Sequence, residues 1–184
     1  MKISSLRHFG AAGALALLAM SATAQAATQG SLGSTSTGTV SISATVPGRV
    51  QISGLSDFAF GTLDPTTAAS TAKNVCVWSN TATKGYNITA TGDGAASAFT
   101  LTNGSTTLAY GVEWAGSSGQ STGTSLATSS AATGFTSTAT NPSCSAGPAT
   151  TASLIVKFST AQMQSAVGSA SAYTGILTLV VAPE

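Results

Sequence analysis

Residues 173–181 read Tyr-Thr-Gly-Ile-Leu-Thr-Leu-Val-Val, and this stretch decides the fold. Its odd positions share one face of an extended chain: Tyr173, Gly175, Leu177, Leu179 and Val181. The other face is also largely apolar. A strand that is apolar on both faces is typical of a sheet interior, where it has two neighbours. The sequence ends soon afterwards at Glu184, so no following segment can supply a neighbouring strand. We therefore expect one of the two strands beside residues 173–181 to come from elsewhere.

A second alternating stretch lies near the N-terminus. Residues 40–46 read Val-Ser-Ile-Ser-Ala-Thr-Val. The apolar positions are Val40, Ile42, Ala44 and Val46, and this period of two predicts a one-sided strand. Pro47 and Gly48 end it, because proline cannot donate to a ladder. Residues 27–39 are rich in Gly, Ser and Thr and predict a flexible leader.

Short strand patterns fill the chain between these two stretches. They predict strands at residues 50–53, 58–63, 74–79, 86–91, 99–102, 108–114 and 152–158. The Asn103-Gly104 pair indicates a hairpin and residues 160–167 a short connecting helix. Residues 116–134 are expected to form a long surface loop, either without regular structure or with a short strand inside it. The close spacing of short strands predicts an all-β sandwich.

The first 26 residues have the features of a signal peptide. Lys2 and Arg7 give a positive start, residues 9–20 form an apolar run, and Ala24-Gln25-Ala26 is a small-x-small cleavage site. The apolar run, about 12 residues long, is too short to span a bilayer, although a retained anchor is the alternative. We therefore expect residues 1–26 to be removed on export, residues 27–46 to form the leader and N-terminal strand, and residues 47–184 to form one domain with no membrane span.

The charge of the mature chain excludes a class of partners. Once residues 1–26 are removed, four Lys and Arg residues face five Asp and Glu residues, without a basic cluster. Nucleic-acid binding is therefore not expected. A surface of Ser, Thr, Gly and Ala also resists self-association poorly, which suits a polymer better than a free monomer.

The two cysteines, Cys76 and Cys144, are expected to form a disulfide, because export delivers them to an oxidising compartment. A metal site would need more ligands, and the mature chain contains no histidine.

The sequence offers little for catalysis or for a cofactor. Without histidine the mature chain has no Ser-His-Asp or Cys-His machinery, and its carboxylates are scattered. Asp57 and Asp64 are interpreted as turn caps and Glu113 as a rim residue, while Asp93 alone supplies too few ligands for calcium. We therefore predict a protein that is not an enzyme. Exposed Trp78 or Trp114 would instead suit a carbohydrate-binding module.

Four stretches together resemble a known family. They are residues 37–46, Phe60-Gly61-Thr62-Leu63, the cysteine pair and residues 173–181. In this order they resemble the pilin subunits of archaic chaperone–usher pili, the group that includes spore coat protein U-like domains and Csu-type pilins. The chain differs in one respect, since an early cysteine usually precedes the Phe-Gly-Thr-Leu strand in that family.

The resemblance implies an incomplete immunoglobulin-like β-sandwich that is completed by a donor strand. The donor would be Val40, Ile42, Ala44 and Val46, and the acceptor groove would be formed mainly by the C-terminal strand and the strand opposite it. The implied partners are identical or related pilin subunits, a periplasmic chaperone and an outer-membrane usher. The implied location is the cell surface, reached through the periplasm, as a fimbrium with a role in adhesion and biofilms. The alternative is a free secreted β-sandwich binding module.

Overall fold

The computed structural model describes residues 26–184. The predicted signal peptide, except for its last residue, lies outside the described residues. The chain divides into two units, one ending at Thr45 and one comprising Val46–Glu184, and each is described by itself.

The second unit is built almost entirely from short strands. They are β1 (Val50–Ser53), β2 (Ala69–Ser79), β3 (Gly85–Gly92), β4 (Thr100–Thr102), β5 (Thr107–Ala109), β6 (Gly111–Ala115), β7 (Thr124–Ser125), β8 (Ala131–Thr136), β9 (Ala152–Phe158) and β10 (Leu177–Pro183). Among the described residues, helical structure is limited to a 3-10 turn at Ala95–Ser97 and to α1 (Thr160–Ser165).

The strands form antiparallel sheets with a shared core. One sheet has the order β1-β2-β9-β6-β7, a second has the order β10-β3-β8, and β4 and β5 form a hairpin. The buried core combines residues of the first two sheets, including Val77, Trp114 and Leu154 from one and Tyr86 and Ile88 from the other. The predicted all-β sandwich is therefore confirmed.

The position of a strand in its sheet explains its sequence pattern. In β3, Tyr86, Ile88 and Ala90 are buried and alternate with half-buried residues, as expected where one face packs on the core. The central strand β9 is instead buried at every position except Lys157. Its apolar residues at 154–156 are consecutive because both faces of the strand are covered.

The expected disulfide is present. Cys76 in β2 and Cys144 in the loop between β8 and β9 are bonded, with their Cα atoms 6.1 Å apart. Both cysteines are buried, and Trp78 packs against them. The bond therefore holds the long β8–β9 loop against the first sheet.

Two other local predictions are confirmed. The Asn103-Gly104 turn joins β4 to β5, and Asn103 Oδ1 accepts hydrogen bonds from the backbone N–H groups of Ser105 and Thr106. The helix α1 connects β9 to β10 and begins with a capping box between Ser159 and Gln162.

Two strand predictions are wrong. Residues 58–63 contain no strand, and the predicted strand at 108–114 is divided at Tyr110, because β5 pairs with β4 while β6 pairs with β9. Residues 116–134 follow the alternative with strand inside the loop, since β7 and the first part of β8 lie there and β8 pairs with β3. Within the single chain, residues 40–46 form no strand. Their alternation predicts a strand, but a strand forms only where a neighbour accepts its backbone hydrogen bonds.

Candidate functional site

The edge of the three-stranded sheet is formed by β10. Among the described residues β10 pairs with β3 alone, in a register that runs from Leu177 opposite Gly92 to Pro183 opposite Tyr86. Its Leu177, Leu179 and Val181 are half-buried and pack against the core, whereas Val180 is 55% exposed. An edge strand of this apolar composition is a template for pairing with another chain.

An apolar groove lies beside this edge, within the second unit. Its volume is about 570 Å³. The residues that line it are Leu55, Ser56, Asp57, Phe58, Phe60, Leu101, Tyr110, Leu154, Val156, Phe158, Tyr173, Thr174, Gly175, Ile176, Leu177 and Leu179. Asp57 is the one residue among them with a formal charge at neutral pH, so the groove suits apolar side chains.

The first wall of the groove is the irregular segment 55–60. Gly54 and Gly61, which flank it, have φ values of +74° and +66°, a conformation that interrupts a strand. Phe58 and Phe60 nevertheless pack against the core, and the ring of Phe60 meets the ring of Phe158 edge-on, with centroids 4.9 Å apart. Aromatic contacts, rather than a β-ladder, therefore hold this wall in place.

The second wall is the segment 173–177, and polar contacts fix its backbone. Thr174 exchanges two backbone hydrogen bonds with Thr102, at 2.8 and 2.9 Å. Ile176 donates its backbone N–H to Asp93 Oδ2 at 2.9 Å. The Tyr173 hydroxyl donates to the carbonyl of Val167 at 2.8 Å. Because these bonds use one edge of the segment, alternate backbone groups are directed to the other edge.

The predicted acceptor residues divide into two groups. Tyr173, Gly175, Leu177 and Leu179 line the groove, as the sequence analysis expects of them. Val181 does not line it and packs against the core instead. The wall at residues 55–60 and the floor residue Phe158 are not among the predicted acceptor residues. The glycines at 54 and 61 were the signal for an interrupted strand at that wall.

The predicted donor residues lie exposed in the sequence that precedes the domain. Val40, Ile42 and Val46 are 74%, 91% and 82% exposed, and Ala44 is exposed as well. Large apolar side chains that alternate in this way and remain in water are unusual in a soluble domain.

The leader forms one closed loop of its own. Thr28 and Thr39 exchange backbone hydrogen bonds at 2.9 and 3.1 Å. The loop ends at Thr39, directly before the exposed alternating residues.

Two carboxylates that were considered for catalysis, Asp64 and Glu113, instead hold the local structure through hydrogen bonds and an ion pair. Asp64 accepts hydrogen bonds from the backbone N–H and hydroxyl of Thr66, which lower the pKa of the Asp64 carboxyl and make it the expected turn cap. Glu113 is buried, not at the rim as predicted. It pairs with Lys157 and accepts the N–H of Gly123 at 3.1 Å, so it anchors the β6–β7 loop.

The two tryptophans bear on the carbohydrate-binding alternative. Trp114 is fully buried, and its indole N–H is bonded to the Tyr86 hydroxyl. Trp78 is half-buried against the disulfide. Trp114 therefore offers no ring face to a sugar.

The chain matches no protein-family model and no curated protein. Within residues 26–184, no helix is both long and apolar enough to cross a bilayer.

Proposed function

We propose that this protein is a structural subunit of an extracellular pilus, polymerised by donor-strand exchange. The observation that supports the proposal is the combination of an apolar groove, beside the edge of β10 that no strand of residues 26–184 pairs with, and an exposed apolar donor at residues 40–46. A strand from a second copy would satisfy the open edge with backbone hydrogen bonds and fill the groove with alternate side chains.

The energies suit a stable joint. Val40, Ile42 and Val46 would each contribute about 1.5–3 kcal/mol on burial, with a smaller contribution from Ala44. Backbone pairing along the β10 edge adds to this. Because donor and groove are different surfaces of one chain, contacts repeat head to tail and generate an open filament.

The proposal extends to the export route. An unfilled groove in a newly exported subunit is an aggregation hazard. A periplasmic chaperone would cover the groove, and an outer-membrane usher would exchange that cover for the donor of the next subunit. The assembled fibre would lie at the cell surface and serve adhesion.

Deletion of the donor tests this function. A chain that lacks residues 27–46, co-expressed with its chaperone, is expected to fold but not to form multimers on unboiled SDS gels. A deletion of residues 27–36 is the matched control, since it shortens the leader and keeps the donor, and it should still give a ladder. Normal fibres from the longer deletion, or a lone monomer band from the unaltered chain, would refute the proposal.

A further inference from the structure

The turn between β4 and β5 contains the one Asn-Gly pair of the sequence, Asn103-Gly104. An asparagine that precedes glycine is prone to spontaneous deamidation, because glycine has no side chain to keep its backbone nitrogen away from the asparagine amide. The φ of Gly104 is +92°, and a Cβ built there would meet no atom of the described residues within 4 Å. The nitrogen of Gly104 therefore has no steric protection.

The reaction at such a pair joins two neighbouring groups and consumes only water. The backbone nitrogen of Gly104 loses its proton and attacks Cγ of Asn103, and Nδ2 leaves as ammonia from the five-membered succinimide that forms. Water then opens the ring at Cγ to give aspartate, or at the backbone carbonyl carbon to give a β-linked aspartate. In both cases a neutral amide and one water become a carboxylate and an ammonium ion. In the β-linked product the main chain is one carbon longer.

The folded hairpin occupies both reacting groups with hydrogen bonds. The N–H of Gly104 donates to Thr102 Oγ1 at 3.0 Å, and the Thr102 hydroxyl donates in turn to the carbonyl of Thr106 at 3.3 Å. Asn103 Oδ1 accepts the N–H groups of Ser105 and Thr106 at 3.0 and 2.9 Å. The Gly104 nitrogen must give up its bond to Thr102 before it can lose its proton, so the fold slows the reaction.

The same turn holds one wall of the groove in place. Thr102 exchanges two backbone hydrogen bonds with Thr174, and Thr106 Oγ1 is 2.7 Å from the Tyr173 hydroxyl. An ordinary aspartate at position 103 keeps an oxygen that can accept the N–H groups of the turn. The β-linked product instead lengthens the main chain between Thr102 and Thr106. The two residues that contact the wall are then no longer held at their native spacing.

We propose that Asn103 is a site of spontaneous modification, that the Thr102 hydroxyl restrains its conversion, and that the β-linked product loosens the wall at Tyr173 and Thr174. Conversion is slow in the folded hairpin and fast whenever the hairpin opens. The fraction of β-linked residue therefore records how long a subunit has spent with this turn open.

Mass spectrometry of the mature chain tests the site, because replacement of NH₂ by OH changes the mass, and fragmentation assigns the change to a residue. Conversion at Asn103 is expected to be about tenfold slower in buffer than in urea, since several hydrogen bonds must open first. Thr102→Val should raise the rate in buffer about fivefold and leave the rate in urea unchanged. Thr102→Ser keeps the hydroxyl and should remain slow.

Thr107→Val is the matched control for this experiment. Thr107 lies opposite Thr102 in the hairpin, and within residues 26–184 its hydroxyl makes no hydrogen bond. The control should therefore convert at the rate of the unaltered chain. Equal rates in buffer and in urea, or no acceleration in Thr102→Val, would overturn the restraint by the hairpin. A mass change confined to other asparagines would overturn the site itself.

Hydrogen exchange at the backbone amides of Thr102 and Thr174 tests the effect on the wall. These amides should exchange faster in aged protein that is rich in the β-linked product than in freshly prepared Asn103→Asp, which has the same charge and an ordinary main chain. Equal exchange in the two samples would show that the β-linked product leaves the wall intact, against the proposal. Neither measurement requires fibres, so both outcomes are independent of the proposed function.

Discussion

The indole Nε1 of Trp114 donates a hydrogen bond to the hydroxyl of Tyr86 at 3.1 Å, and the two rings meet edge-on with centroids 6.4 Å apart. Trp114 belongs to β6 in the first sheet and Tyr86 to β3 in the second. This polar contact lies between two fully buried side chains, so it joins the two sheets inside the core.

Loss of the Tyr86 hydroxyl is expected to destabilise the domain. Tyr86→Phe leaves the buried Trp114 N–H without a partner, which costs about 1–3 kcal/mol. The free energy of unfolding in urea measures the effect. Tyr173→Phe is the control, because the Tyr173 hydroxyl is only partly buried. Equal stability of the Tyr86 variant and the unaltered protein would contradict the role of this bond.

The stability of the domain should fall at alkaline pH. Burial raises the pKa of both Tyr86 and Tyr110 above the ordinary value of 10.0. Because the pKa of each tyrosine is higher in the folded than in the unfolded protein, the full free energy of unfolding is present below pH 10.0. It falls as the pH rises from 10.0 toward the folded-state pKa, since the unfolded chain loses its phenol protons first. Urea titrations at successive pH values would measure this fall, and Tyr86→Phe should make its slope shallower. A stability that stays constant through this range would contradict the prediction.

Removal of the disulfide is expected to weaken the domain strongly. The bond joins residues 68 positions apart, and the chain-entropy treatment gives about 4 kcal/mol for a loop of this length. The double variant Cys76→Ala/Cys144→Ala should lose this amount in urea unfolding. Addition of a reductant should lower the midpoint of the unaltered protein and leave that of the double variant unchanged. An equal response in both would show that the reductant acts elsewhere.

The donor should be sensitive at its apolar positions and tolerant between them. Ile42→Ala removes about 2 kcal/mol of burial from each joint, equivalent to roughly 30-fold in affinity. Ser43→Ala is the matched control, because residue 43 lies on the opposite face of the donor. The temperature at which SDS multimers dissociate would measure both. The prediction is contradicted if the two variants dissociate at the same temperature as the unaltered fibre.

The edge of β8 is expected to depend on Glu184. Glu184 Oε2 accepts the N–H of Gly134, whose φ of +80° bends this edge strand. A bent edge with an occupied N–H resists pairing with other chains. Glu184→Ala should therefore increase irregular aggregation, measured by light scattering, without loss of regular fibres. Gln164→Ala serves as an exposed control on α1. Unchanged scattering would argue against this protective role.

Local patterns predicted most of the sandwich, and tertiary pairing accounts for the rest. The alternation in β3 and the continuous apolar run of β9 are visible in the sequence because burial selects those residues. The strand β8, with the sequence Ala-Ala-Thr-Gly-Phe-Thr, has weak β-propensity and is held by its pairing with β3. Periodicity likewise cannot show that the chain changes sheets at Tyr110, because both sheets impose the same period.

The groove was predicted only in part for a similar physical reason. The residues 173–179 are recognisable because they alternate. The opposite wall at 55–60 is irregular and has no period, and the floor residue Phe158 comes from a distant strand. The predicted acceptor therefore extends to Val181, which does not line the groove.

In the proposed fibre the groove described above and the exposed donor are different surfaces of each subunit, so the two tips would differ. One tip would carry a vacant groove and the other a donor that enters no groove. A subunit without residues 27–46 could occupy the second tip but could offer no donor of its own. Small amounts of such a subunit would act as a chain terminator, so the ratio of shortened to full-length protein would set the length of the fibres.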